Sequence, residues 1–211
     1  MKKIFQFGET VEGYNVPVLN EREIRASAGI LFLLLYTSLM LIIFKGNFVL
    51  IKISICLFLL DFIIRVFINP KYAPTLIIGR LIVSSQTPEY VSAAPKKFAW
   101  IIGITLATIM FVLMPIMNTY SIITGLICLI CLIFLFFESV FGICLGCLFY
   151  PIFFKDEKPL CPGDICEVKV KHDIQKVSWL QILIVLAFCA FIVLISVFLS
   201  HTFSAKPSSL F

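Results

Sequence analysis

Cys144 and Cys147 stand three residues apart in "FGICLGCLFY", at the end of a long apolar stretch. A C-x-x-C pair can exchange disulfides, carry persulfide sulfur, or supply half of a four-thiolate metal site. The same spacing recurs in "CLIC", at Cys128 and Cys131, with nothing polar beside it. Spacing therefore does not separate these chemistries from plain packing, because a free cysteine in an apolar setting behaves as a small hydrophobe. Cys56, Cys128, Cys131 and Cys189 are read that way. "CLGC" differs in its glycines, which admit close backbone approach, and in Lys155 and Lys158 of the following "FFKDEK", whose positive charge favours the nucleophilic thiolate. Glu138, in "FFESVFG", is the acid/base candidate for these sulfurs. In an unbroken helix it would face about 240° from Cys144 and about 180° from Cys147. A helix break at Gly142 would remove that obstacle. Otherwise Glu138 is expected to be a structural link to Asp61 and Arg65 or to the loop over 69–97.

Asp61 and Arg65, in "LLDFIIRVF", are four residues apart and share one helical face, so they can pair and offset each other's cost in an apolar segment. The pair is read as an anchor for its helix end or as a polar patch for a partner. Cys161 and Cys166 extend the rim pair to C-x2-C-x13-C-x4-C. Cys144, Cys147, Cys161 and Cys166 are thus an alternative metal set suited to zinc or an iron–sulfur cluster, though the second spacing departs from that of zinc ribbons. No cofactor is expected otherwise. His172 and His201 fall in no ligand constellation, and the phosphate-loop, esterase-elbow and H-E-x-x-H motifs are missing from the sequence.

The elements that must position these residues are membrane helices. Of the 211 residues 61% are hydrophobic and 14% charged, against ~45–50% and ~25% in ordinary soluble domains. The net charge of +5 is spread through the loops, which excludes a nucleic-acid stripe. The reading is an all-α, polytopic membrane helical bundle of about five transmembrane helices plus a short interfacial helix. Spans are expected over Ala28 to Phe44, Phe48 to Phe67, Phe98 to Met117, about Ser121 to Val140, and Trp179 to Leu199. The apolar run from Tyr120 to Phe154 would measure roughly 50 Å as one helix, so a break is expected around Gly142 and Gly146, leaving "CLGC" at the bilayer rim. "APTLIIGRLIV" is expected to lie in the interface with Arg80 reaching the headgroups. The chain divides into an N-terminal segment (1–24), a four-helix core (25–154) with the interfacial loop 69–97, a linker (155–178), a fifth helix (179–200) and a tail (201–211). Glu9 and Glu12 interrupt any signal-peptide core, so the first span is expected to stay attached. Lysine and arginine gather before the first span, after the second and after the fourth, which predicts the N-terminus inside and the C-terminus outside.

Several blocks together, "NEREIRASAGILFLLL", "DFIIRVFINPKYAP", "QTPEYVSAAPKKFAW" and "FESVFGICLGCLFY", resemble a bacterial integral-membrane family known only as domain of unknown function 4395. The residues that match its motifs are Arg25, Asp61, Arg65, Gln86, Pro88, Lys97, Glu138, Cys144 and Cys147. The resemblance implies the bacterial inner membrane and a link to sulfur and thiol metabolism, through thioredoxin-like or rhodanese-like partners. It also marks Gln86 and Lys97 as structural or partner-binding. Two functions follow as expectations: a cytoplasmic-face thiol or sulfur relay through Cys144 and Cys147, or a non-catalytic membrane anchor or small transport subunit whose cysteines only pack.

Overall fold

A computed structural model describes residues 7–11, 14, 16–153, 176–205 and 208–209. Asn20 caps the first long helix, α1 (Glu21–Lys45), accepting the Arg22 N–H, and Gly46 ends it in the left-handed conformation. α2 (Val49–Ile63) runs on into a wide π-turn, Ile64–Ile68. A 3₁₀ turn at Pro70–Tyr72 leads into α3 (Pro74–Ile82). α4 (Ala93–Phe111) also ends in a π-turn, Val112–Ile116, where Pro115 has no N–H to continue the regular ladder. α5 (Ile122–Phe136) starts at a Ser121/Thr124 capping box and ends in a third π-turn, Phe137–Phe141. Two single-turn helices follow, α6 (Leu145–Leu148) and α7 (Tyr150–Phe153), then α8 (Trp179–Phe198) and α9 (Ser200–Ser204).

Among the described residues four helices are long and apolar enough to cross a membrane: α1, α4 and α5 with their terminal turns, and α8. α2 falls outside that set because it and its π-turn carry Lys52, Asp61 and Arg65, all buried. The expected five spans therefore resolve into four apolar helices and one whose charges face inward. α1 is central, packing on α2, α3 and α5. Ile24, Leu31, Ile51, Phe62, Trp100 and Leu132 form its shared core. The outer surface is apolar as well, with Trp179, Phe198, Leu33 and Ile122 all largely exposed, which suits lipid rather than water. α8 lies at the edge against α3 and α2, and of its side chains only Gln181 is buried.

Contacts sort the connections into two ends. At one, β1 (Val18–Asn20) pairs antiparallel with β2 (Tyr90–Ser92), placing Val18 against Ser92 and Asn20 against Tyr90. Gln181, in the first turn of α8, donates to the Lys71 carbonyl at the same end, at 3.0 Å. At the other end β3 (Thr119–Tyr120) pairs parallel with β4 (Ser208–Ser209). There the fully buried Lys52 donates to Asn118 Oδ1 at 2.7 Å and to the carbonyls of Ala205 at 2.8 Å and Thr202 at 3.2 Å.

One expectation is overturned. Arg80 does not reach outward to headgroups: it is buried and donates from Nε and Nη2 to Glu23 Oε2, at 3.1 and 3.0 Å. α3 presses one face onto α1 and leaves Leu81 and Ile82 exposed on the other. A guanidinium on the packed face meets a carboxylate of α1 before it can reach a membrane surface.

Candidate functional site

The break expected near Gly142 and Gly146 occurs at Gly142, which adopts φ +68°. A Cβ there would sit 3.3 Å from the Arg25 guanidinium, in a conformation that L side chains rarely take. Arg25 Nη2 donates to the Val140 carbonyl at 3.1 Å, and the Ile143 N–H to Phe137 O at 3.1 Å, so two carbonyls of the π-turn that ends α5 find partners. The chain then extends into Cys144, which caps α6 by accepting the Cys147 N–H on Sγ at 3.3 Å. Cys144 and Cys147 are paired as a disulfide, with Cα atoms 5.2 Å apart. The bend after Gly142 brings the two sulfurs together. α6 is seated against α4 at Gly146, where an added Cβ would lie 2.7 Å from Ala99 Cβ.

Cys144 lines an apolar cavity of about 60 Å³ inside the bundle. Phe58, Phe62, Trp100 and Phe134 supply aromatic walls, and Arg65 and Glu138 are its charged lining residues. The break thus puts Glu138 on the same cavity as Cys144, despite the unfavourable angle that a straight helix would have imposed. Glu138 is tied to Lys96, whose ammonium also contacts Glu21 at 2.7 Å. Of the two structural links expected for Glu138, this is one to the segment 69–97, through Lys96, and not one to Asp61 and Arg65. Two carboxylates, from α1 and from the π-turn after α5, thus converge on one buried ammonium of α4.

Asp61 and Arg65 meet at 2.7 Å and are nearly inaccessible. Asp61 accepts the Thr75 N–H at 2.9 Å and its hydroxyl at 2.7 Å, and Arg65 Nη2 donates to Ser27 and Thr75. Ser27 donates to Thr75 at 2.8 Å. The pair is therefore one half of a network joining α1, α2 and α3. The Arg65 guanidinium lies 4.5 Å from the Phe62 ring centroid and 5.0 Å from that of Trp100. Gln86 and Lys97 lie elsewhere. Gln86 accepts from Arg22 Nη1 at 3.2 Å on an exposed edge, and the Lys97 ammonium sits 5.2 Å from the Phe7 ring centroid.

Among the described residues no group of three or more His, Cys, Asp or Glu is placed to hold a metal. Cys161, Cys166 and the lysines of "FFKDEK" lie outside the described residues. Sequence reasoning missed Lys96, Glu21, Thr75, Ser27 and Lys52. A signal for Lys96 was present: Lys96, Trp100, Ala107 and Met110 recur at helical spacing and all are buried. Lys97 is one step round from that face.

The family described as Domain of unknown function (DUF4395) matches the chain over residues 19–155. No curated protein and no solved structure matches it.

Proposed function

The chain belongs to this family, DUF4395, and on that premise we propose a relay of disulfides or sulfane sulfur between Cys144–Cys147 and a thioredoxin-like or rhodanese-like partner. In this reading the protein sits in the bacterial inner membrane, with the β1/β2 end facing the cytoplasm and the β3/β4 end outside. The observation that carries the proposal is the paired C-x-x-C just past the break at Gly142, on a cavity it shares with the carboxylate of Glu138. In disulfide exchange a partner thiolate attacks one sulfur of the pair, a mixed disulfide forms, and the other sulfur leaves as thiolate. The partner's second thiolate then resolves the mixed disulfide, leaving the membrane pair as a dithiol. The departing thiolate takes its proton from water, and Glu138 is assigned the acid/base role beside it, with Lys96 holding its carboxylate in place. For sulfur transfer, one thiolate of the reduced pair attacks the outer sulfur of a partner persulfide, whose S–S bond breaks and whose inner sulfur leaves as thiolate.

A second reading is a non-catalytic anchor or transport subunit. The close seating of Gly146 on Ala99 favours it, since small residues at a crossing let two backbones pack closely. The mass of the purified full chain with and without reductant separates the readings. The relay predicts a gain of two hydrogens per chain on reduction, or loss of a sulfur from a persulfide, mapped to Cys144 and Cys147. Thiols that never oxidise favour packing. A mass that falls when a chelator is added, in place of a redox change, indicates zinc or an iron–sulfur cluster on Cys144, Cys147, Cys161 and Cys166.

A further inference from the structure

We propose that the cavity behind Cys144 takes the outer sulfur of a persulfide formed on that residue, and that Cys147 then releases this sulfur as hydrogen sulfide. The inference rests on the relay reading, names sulfane sulfur as its substrate and gives the two cysteines different roles. The cavity's volume of about 60 Å³ is several times the ~10–15 Å³ that a single water requires, and well short of the ~150 Å³ of a cavity that holds a benzene ring. One sulfur atom fits; a ring does not. Four of the lining side chains are aromatic, and polarizable divalent sulfur makes favourable contacts with such rings. The cavity also distinguishes the two cysteines. Cys144 lines it and Cys147 does not, although the two are bonded to each other and both are half-buried.

The disulfide shows Cys147 within bonding reach of the Cys144 sulfur, as the release step requires. Displacement at divalent sulfur runs in line, so the leaving sulfur departs on the side away from Cys147, and a space lined by Cys144 but not by Cys147 can receive it. The balance closes within the proposal. Glu138, on the cavity wall, takes the proton of the Cys144 thiol. The thiolate attacks the outer sulfur of a partner persulfide, whose S–S bond breaks and whose inner sulfur leaves as thiolate and takes a proton from water. Cys147, having given its own proton to water, then attacks the Cys144 sulfur. The bond to the outer sulfur breaks, the Cys144–Cys147 bond forms, and the departing hydrosulfide takes the proton held by Glu138 and becomes hydrogen sulfide. Two thiols are oxidised to a disulfide and one sulfane sulfur is reduced to sulfide. A neutral product suits this apolar cavity, where an unpaired anion would be costly. Exchange with the dithiol of a thioredoxin-like partner restores the reduced pair.

The test uses the full chain in nanodiscs, with Cys161 and Cys166 changed to serine, reduced and then freed of reductant, and glutathione persulfide as the probe. With Cys147→Ser added, peptide mass mapping should find one extra sulfur atom, on Cys144. With Cys144→Ser instead, Cys147 should gain no more than Cys128 or Cys131. Ala28→Leu, which fills the cavity, should raise the persulfide concentration that half-loads Cys144 about tenfold, equivalent to ~1.4 kcal/mol. Leu106→Phe, at another lining residue, serves the same purpose if Ala28→Leu fails to fold. With both cysteines present, each chain should release one hydrogen sulfide while Cys144 and Cys147 lose their alkylatable thiols. Equal loading of Cys144 and Cys147, or loading of Cys144 that a cavity-filling change leaves alone, overturns the inference. So does a dithiol that exchanges with a soluble thioredoxin disulfide yet releases no hydrogen sulfide from the persulfide. A pair that reacts with neither probe defeats the relay reading itself.

Discussion

The Lys96 ammonium contacts Glu21 at 2.7 Å while also holding Glu138, so an element beside the cysteines is locked to the first turn of α1 through a side chain of α4. Lys97, next in the chain, instead lies over the Phe7 ring.

Lys96→Met should therefore be severe and Lys97→Met mild. Removing Lys96 leaves two carboxylates buried without their cation, and breaking a buried ion pair from one side costs about 3–5 kcal/mol. Thermal unfolding in detergent checks this. Adding Glu21→Gln and Glu138→Gln to Lys96→Met should recover part of the loss, since it removes the stranded charges.

How much of this was legible in the sequence depends on what each signal reports. Apolar runs located the long helices because a bilayer demands about 20 such residues. The Asp61/Arg65 contact was legible because i,i+4 spacing is local. The partners that complete that network, Ser27 and Thr75, come from other helices, and no local pattern announces them. Arg80 was misread for the same reason: an arginine on a short amphipathic helix looks lipid-facing until α1 presents Glu23 to it. Lys97 was singled out through the family resemblance, whereas Lys96 lies on the buried face. Gly142 could be named as a break because the run was too long for one crossing, but which lining residues the break would gather round a cavity is a property of five packed segments together.

Asp61→Ala or Arg65→Ala alone should lower accumulation in the membrane more than the double change does. Each single change strands a charge among Ser27 and Thr75, whereas the double change leaves those two hydroxyls bonded to each other. Quantifying folded protein in membrane extracts decides it. Additive losses would show that the two residues act separately.

Topology follows from the two ends of the bundle. The tail strand β4 pairs beside Asn118, and Lys52 is bound at that same end, opposite the β1/β2 pair. A reporter that works only outside the cytoplasm should be active when fused after Phe211, and one that works only inside should be active when fused near Lys158. Activity of both on one side would contradict the alternation.

The relay account stands most directly on the reactivity of Cys144 and Cys147 compared with Cys128 and Cys131, which share their spacing but are held in the continuous helix α5. In inside-out vesicles, with Cys161 and Cys166 first changed to serine and the protein mildly reduced, a water-soluble maleimide should label Cys144 or Cys147 far faster than Cys128 or Cys131. Mild oxidant should then block that labelling by rejoining the pair. Cys144 and Cys147 as unreactive as the α5 pair, and still thiols after oxidant, would contradict the account and leave packing as the role of "CLGC".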